Sequence, residues 1–325
     1  MGDGVLDLIL VTGANGFVGD SICIALRAHG KNIRRAVRTS SACVDSIGDE
    51  SIVIGDINRH TEWNLALRKV TTVIHLAARA HMINEPSSNL LSRYREVNVE
   101  GTKRLAEMAA KAGVKRFVFL SSAKVNGERT STHPFTENDV PQPEDAYGNS
   151  KWVAEQSLLE VARATGIEAV ILRPPLVYGA GVKGNFLRLL QLVARGVPLP
   201  LASVSNRRSL LYIENLVDAI VSCIDLPASA SRTYLVSDGE DVSTPELIRS
   251  LATALDVRAR LFPCPLALLE LGSVVFGKTG EVSKLTDSLQ VDSNRIRREL
   301  GWQPRFSLAQ GLKVTAHWYR QAACR

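Results

Sequence analysis

Leu8-Ile9-Leu10-Val11-Thr12-Gly13-Ala14-Asn15-Gly16-Phe17-Val18-Gly19 is the stretch that decides how this chain folds. Its apolar start reads as a short buried strand, three glycines follow at positions 13, 16 and 19, and the sequence then continues as an apolar helix. Glycine spacing alone means little in a chain with 23 glycines; its place between a strand and a helix gives it meaning. There the backbone N–H groups can approach a pyrophosphate, and the dipole of the helix favours the negative charge. Gly13, Asn15, Gly16, Phe17, Val18 and Gly19 are therefore candidate cofactor-binding residues.

Working outward, the pattern repeats. Apolar runs at residues 33–37, 51–54, 72–76, 116–121 and 168–172 alternate with amphipathic stretches. In one of these, residues 99–112, Leu105, Met108, Ala109 and Ala112 recur at helical spacing. Strand, helix, strand in this order predicts a parallel sheet covered by helices on both faces, the doubly wound α/β (Rossmann) fold. After Arg173-Pro174-Pro175 the alternation weakens. We expect a dinucleotide-binding domain over residues 1–175 and a smaller lobe over residues 176–325 capping the carboxyl edge of the sheet. The boundary is expected to be discontinuous, because residues 233–237 read as a strand that returns to the main sheet.

The composition excludes several classes. With 45% apolar and 22% charged residues, the 325-residue chain matches globular averages of roughly 45–50% and about 25%, not disorder or a fibre. A prior of about 150 residues per domain agrees with two lobes. The longest apolar stretches, residues 5–11 and 261–277, are broken by Asp7 and by prolines and Glu270. Neither reaches the roughly 20 unbroken residues of a spanning helix. The second is expected to pack within the core or lobe. Met1-Gly2-Asp3-Gly4 lacks the positive region of a secretory leader, so a cytoplasmic location is expected. Five cysteines (23, 43, 223, 264 and 324) without a C-x-x-C pair fit reduced thiols, with no disulfide and no metal site. The net charge of +6 is scattered, which argues against nucleic acid and is compatible with an anionic small substrate.

A second strand of this fold ends in a carboxylate when a ribose 2′-OH is bound. Here the corresponding position is Val37, flanked by Arg35 and Arg38. Arginine pairs with a 2′-phosphate, so NADP(H) is favoured and NAD(H) remains possible; alternatively these arginines face solvent. Asp56, in Gly55-Asp56-Ile57, is placed to accept from the adenine amino group or to cap the following turn.

Tyr147 and Lys151 lie four apart at the start of a helix predicted over residues 151–164. That spacing puts them on one face, and a neighbouring cation makes a phenol a usable acid or base. Phe117-Val118-Phe119-Leu120-Ser121-Ser122 ends a strand with two hydroxyls at the ligand-binding edge. Ser122 could hold a reacting oxygen; a turn or helix cap is the alternative.

Together these motifs resemble the extended short-chain dehydrogenase/reductase family, in its nucleotide-sugar epimerase/reductase branch. The resemblance extends through His75-Leu76-Ala77-Ala78, Asn98-Val99-Glu100-Gly101-Thr102, Leu172-Arg173-Pro174-Pro175 and Gly301-Trp302-Gln303-Pro304. It implies Tyr147 as acid/base, Lys151 holding the nicotinamide ribose and lowering the tyrosine pKa, and Ser122 bonding the sugar oxygen. It places Ile57, Leu76, Ala77, Ala78, Asn98 and Pro174 along the cofactor. In the second lobe it matches Asn185 and Arg208 to residues that contact the substrate diphosphate, an anion that suits an arginine fork. A homodimer built partly on the helix of Tyr147 is also implied.

Departures from the family pattern select among activities. Sugar dehydratases carry an Asp-Glu pair where this chain has Ala123 and Lys124, so dehydration is not expected. Many epimerases carry an acid at the end of the second strand and an Asn where this chain has Leu176. The pattern is similar to surface-polysaccharide (O-antigen) enzymes that reduce UDP-4-keto-6-deoxy-N-acetylhexosamine to UDP-N-acetylquinovosamine, and an NAD(P)H-dependent reductase is the leading expectation. The alternative is an NAD-dependent UDP-hexose 4-epimerase. Reduction of a non-sugar ketone and a non-catalytic NADP(H) sensor are the remaining alternatives.

Overall fold

The computed structural model describes residues 7–40, 49–80, 87–225, 231–275 and 279–323. Seven parallel strands form one sheet: β1 (Leu8–Thr12), β2 (Asn32–Val37), β3 (Asp49–Val53), β4 (Val70–His75), β5 (Arg116–Leu120), β6 (Glu168–Arg173) and, late in the chain, β9 (Arg232–Leu235). The spatial order β3-β2-β1-β4-β5-β6-β9 reverses direction beside β1, the topological switch point where such sheets bind ligands. A separate parallel pair, β7 (Leu176–Tyr178) with β8 (Leu210–Tyr212), belongs to the later half of the chain.

Alternation along each strand builds the two cores. Ile9, Val11, Val118, Val170 and Leu172 point to one face. They meet Ile22 and Leu26 of α1 (Phe17–Ala28), and Leu216 and Ile220 of α6 (Ile213–Asp225). Leu10, Val73, Phe117, Phe119 and Ile171 point to the other. Their partners are Leu105 and Ala109 of α3 (Gly101–Lys111), and Ala154 and Leu158 of α4 (Ala146–Thr165). The fold is thus doubly wound, as the alternation predicts. β9 joins the sheet through β6, with Val170 opposite Arg232 and Arg173 opposite Leu235.

Three local readings change. The helix of Tyr147 begins at Ala146, five residues earlier than its apolar pattern suggests, because Asp145 caps it by accepting from Gly148 N at 2.6 Å. The run over 99–112 is not one α-helix: α2 (Ser87–Tyr94) leads into a π-helical turn, Arg95–Glu100, before α3 begins. The segment 261–277 is mostly not core. It holds α8 (Leu266–Val275), where Leu269 packs inward while Leu268 and Leu271 are 58% and 62% exposed. A short helix lying on the surface can bury only one of its faces; residues 276 and 277 lie outside the described residues. Among the described residues, no helix is long and apolar enough to cross a membrane. Cys23 and Cys223 are buried and Cys264 is half-buried; Cys43 and Cys324 lie outside the described residues.

Candidate active site

The glycine loop between β1 and α1 is folded tightly on itself. Gly13 has φ +66°, a left-handed conformation, and a Cβ there would sit 2.8 Å from Ala77 N. A Cβ at Gly19 would come within 2.0 Å of Gly13 O. The N-cap of α1 is Gly16, which offers no side chain to the first-turn N–H groups, so the backbone of Phe17, Val18 and Gly19 keeps its donors for an anion. The space that missing side chains leave, and the uncapped helix end, fit a dinucleotide pyrophosphate.

Arg35 turns out to belong to this loop. It is buried in β2 and donates to Ala14 O at 3.2 Å and Asn15 Oδ1 at 3.0 Å, with Asp20 at 3.5 Å. The guanidinium braces the loop from below, and the solvent-facing alternative is corrected for this residue. Arg38, by contrast, is 72% exposed at the strand end, 3.9 Å from the carboxylate of Asp56. That carboxylate offsets part of the attraction Arg38 could exert on a 2′-phosphate. The Asp56 carbonyl accepts from Thr61 Oγ1 at 2.9 Å, so its backbone closes the turn and the side chain stays exposed. Ile57 covers Gly101, where a Cβ would meet Ile57 Cγ2 at 2.4 Å.

A chain of hydrogen bonds that sequence reasoning missed runs behind the loop. Ala77 N donates to Thr12 Oγ1 at 3.2 Å, and Thr12 Oγ1 lies 2.7 Å from His75 Nδ1. On the other side His75 Nε2 is 3.0 Å from Thr102 Oγ1, which donates to Asn98 O at 2.6 Å. Burial, with a smaller contribution from Lys151, lowers the pKa of His75 to about 3, so the imidazole is neutral. Since Thr102 spends its proton on Asn98 O, His75 Nε2 donates to Thr102 and Nδ1 accepts from Thr12. Asn98 itself is buried; its Oδ1 accepts from Arg79 N at 2.9 Å, and its Nδ2 donates to Arg79 O and Ser150 Oγ at 3.1 and 2.9 Å. Both amide hydrogens are used inside the protein, so Asn98 holds the wall beyond Leu76, Ala77 and Ala78 against α4.

Tyr147 occupies the first turn of α4 and Lys151 the next. The Lys151 ammonium is buried, donates to Leu120 O at 2.8 Å and sits 4.5 Å over the Phe119 ring. Burial lowers its pKa to about 7, against the opposing charge of Glu155. The groups that act on the Tyr147 phenol are burial, then Asp145 and then Tyr94, whose ring lies 6.1 Å away, and all three raise its pKa. The expectation that Lys151 lowers the phenol pKa is therefore not realised in the chain alone: its ammonium is turned to the end of β5. Ser122 accepts from Lys124 N at 3.3 Å and caps a 3₁₀ turn, Ala123–Val125, yet its hydroxyl proton remains available to a ligand oxygen. Both readings of Ser122 are thus compatible.

Beneath Ser122 lies a buried network the sequence did not announce. Ser121 Oγ donates to Glu155 on α4, and Glu155 is held by Arg173 through two bonds of 3.0 and 2.5 Å. Arg173 also reaches Asn126 Oδ1 at 3.0 Å, while Pro174 O accepts from Ala123 N at 2.9 Å. The ends of β5 and β6 and helix α4 are joined here.

In the later half, Asn185 is exposed in the first turn of α5 (Gly184–Ala194). Arg208 is half-buried and anchored by backbone bridges to Val242 and Leu289, and its guanidinium donates to Asp287 O at 2.8 Å. Burial lowers its pKa. Leu176 is 42% exposed at the start of β7. No group of three His, Cys, Asp or Glu side chains among the described residues could hold a metal ion.

Comparison with known proteins bears on this arrangement. The family model described as NAD dependent epimerase/dehydratase matches residues 9–237. A UDP-glucose 4-epimerase of Vibrio cholerae is 46% identical over 97% of this chain and 96% of its own length. An N-acetyl-alpha-D-glucosaminyl-diphospho-ditrans,octacis-undecaprenol 4-epimerase of Escherichia coli O157:H7 is 29% identical, covering 96% of this chain and 95% of its own. The structure of MoeE5 in complex with UDP-glucuronic acid and NAD superposes with a TM-score of 0.78 at 26% identity, covering 97% of this chain and 99% of that one.

Proposed function

From the premise that this chain belongs to the NAD dependent epimerase/dehydratase family of extended short-chain dehydrogenases/reductases, and so to the nucleotide-sugar enzymes, we propose that it is a UDP-hexose 4-epimerase using NAD. The observation that carries this reading is the 46% identity, over nearly the whole of both chains, to a UDP-glucose 4-epimerase. It displaces the reductase that the departures at Arg38 and Leu176 suggested first.

The residues divide the work as follows. Gly13 to Gly19 and the N-terminus of α1 hold the pyrophosphate of the dinucleotide, and Asp56 faces its adenosine half. When bound, the nicotinamide supplies the reversible hydride exchange that inversion at C4 requires. Tyr147 takes the proton of the 4-hydroxyl as the carbonyl forms and returns it as the hydroxyl is restored, so no proton is gained or lost over the cycle. Ser122 donates to that same oxygen, stabilising the charge it carries between the two states. Asn185 and Arg208 receive the diphosphate. The relative acting on an undecaprenyl diphosphate sugar supports a place in surface-polysaccharide synthesis.

The test incubates purified protein with UDP-glucose or UDP-galactose without added cofactor. Interconversion is the expected result. Beside it, UDP-4-keto-6-deoxy-GlcNAc is offered with NADH or NADPH; cofactor consumption there, with no interconversion of the hexoses, would overturn the proposal.

Val37 and Arg38, where the usual acid would end β2, specifically favour the second reading, a 4-keto reductase drawing on NADPH. On that reading Arg38→Ala weakens NADPH binding about tenfold while barely changing NADH binding, the loss of one charge-assisted contact. Equal changes in the two dissociation constants would remove the 2′-phosphate contact.

A further inference from the structure

Lys124 stands apart from the machinery assigned so far, yet it occupies the turn that directly follows Ser122. Its ammonium is half-buried and clamped between two carboxylates, Asp145 Oδ2 at 2.5 Å and Glu128 Oε1 at 2.6 Å. Asp145 uses its other oxygen to cap α4, accepting from Gly148 N at 2.6 Å. The turn and the helix are pressed together at this point: a Cβ on residue 148 would meet Lys124 O at 2.8 Å and Lys124 Cβ at 3.3 Å. Glycine at 148 thus lets Lys124 lie directly against the first turn of α4, the turn that carries Tyr147.

We propose that Lys124 is a positioning residue of the acid/base site, neutralising and fixing the helix-capping carboxylate of Asp145 beside Tyr147. The proposal rests on Tyr147 being the acid/base.

The charges around the phenol explain why such a residue is needed. Asp145 lies two positions before Tyr147, and its charge raises the phenol pKa. Tyr94 of α2 faces the same space and is itself acted on by Asp145 and Lys124 with opposite signs. Glu128 faces Lys124 from one side and Arg208 from the other. Lys151, on α4 itself, is engaged by Leu120 O. Within this set Lys124 is the cation bonded to Asp145. Hydrogen bonds from Lys124 and Gly148 hold the Asp145 carboxyl below its ordinary pKa despite burial, while the two carboxylates raise that of Lys124. Removing the ammonium leaves two partly buried carboxylates without their shared cation next to a phenol that must ionise, and the phenol keeps its proton to higher pH.

The experiment follows the pH midpoint of Tyr147 in two ways: the kcat profile for UDP-galactose turnover, and tyrosinate difference absorbance of the protein against Tyr147→Phe. The absorbance reading is taken on the protein loaded with NAD and needs no turnover, so it stands even where the epimerase reading fails. Lys124→Met is expected to raise the midpoint by about one pH unit or more, and Lys124→Arg to leave it near wild type. Lys124→Met with Asp145→Asn should return most of the shift, because Asn still caps the helix while the charge is gone. Asp145→Asn alone should lower the midpoint, which keeps the test open where Lys124→Met does not fold. A fall in kcat at all pH values with an unmoved midpoint, or a double variant that fails to return it, would overturn the proposal.

Discussion

Tyr147→Phe is expected to lower turnover about 10³-fold, within the range of 10² to 10⁴ that a positioned acid/base contributes, while fold and dinucleotide binding stay close to wild type. The substitution deletes one hydroxyl and no packing: the Phe ring can keep the contact with Tyr94, whose centroid lies 6.1 Å away. Lys151 is not released, since its ammonium is bonded to Leu120 O and not to the phenol. With the proposed roles, Ser122 still donates to the sugar oxygen and the ground state is bound as before; what is lost is the group that takes and returns the proton. Steady-state turnover, with cofactor binding measured by fluorescence quenching, checks both halves. Activity within tenfold of wild type would remove Tyr147 from the reaction. The elevated phenol pKa of the chain alone adds a condition: burial and Asp145 favour the protonated form, so ionisation has to be driven by charge that ligands bring to the site.

What the sequence made legible follows the physics of each signal. The glycines at 13 and 19 stood out because a backbone folded this closely tolerates no side chain there, while at 16 a Cβ would be tight at 3.1 Å from Gly13 O, and that requirement is written as residue identity. The sheet was legible because period-two burial on both faces writes near-continuous apolar runs. Arg35 was misread because a charged residue in a strand gives no sign of its partners: the carbonyl of Ala14 and the amide of Asn15 belong to a loop twenty positions away. The start of α4 was placed late because its apolar period begins after its cap, and Asp145 is one acid among several in a proline-containing loop. The His75 chain and the Lys124 clamp were missed for a related reason. Thr102 lies four residues after Asn98, a spacing that marks a helical contact, but nothing local names His75 as its partner across the sheet.

The buried pair Glu155–Arg173 gives the largest expected effect on stability. Both side chains are almost fully enclosed, at 1% and 4% exposure, and joined by two hydrogen bonds. Arg173→Met removes the cation and strands a carboxylate whose remaining hydrogen-bond donor among the described residues is Ser121, so a loss of about 3–5 kcal/mol is expected in urea unfolding. Arg173→Met with Glu155→Leu removes both charges and should recover most of that loss, because the cost of the single variant is an unpaired buried ion more than a missing attraction. A single-variant loss below about 1 kcal/mol would contradict the account. Turnover should separate from stability in this series. Glu155 is the anion that opposes the burial of Lys151, whose pKa is already down to about 7. Deleting it lowers that pKa further, so the ammonium is lost as pH rises through a lower midpoint and less of it is present at neutrality. With Lys151 as the residue expected to hold the nicotinamide ribose, the double variant is therefore expected to be stable yet slow at neutral pH and to regain rate as pH falls, whereas a purely structural network would give back activity together with stability.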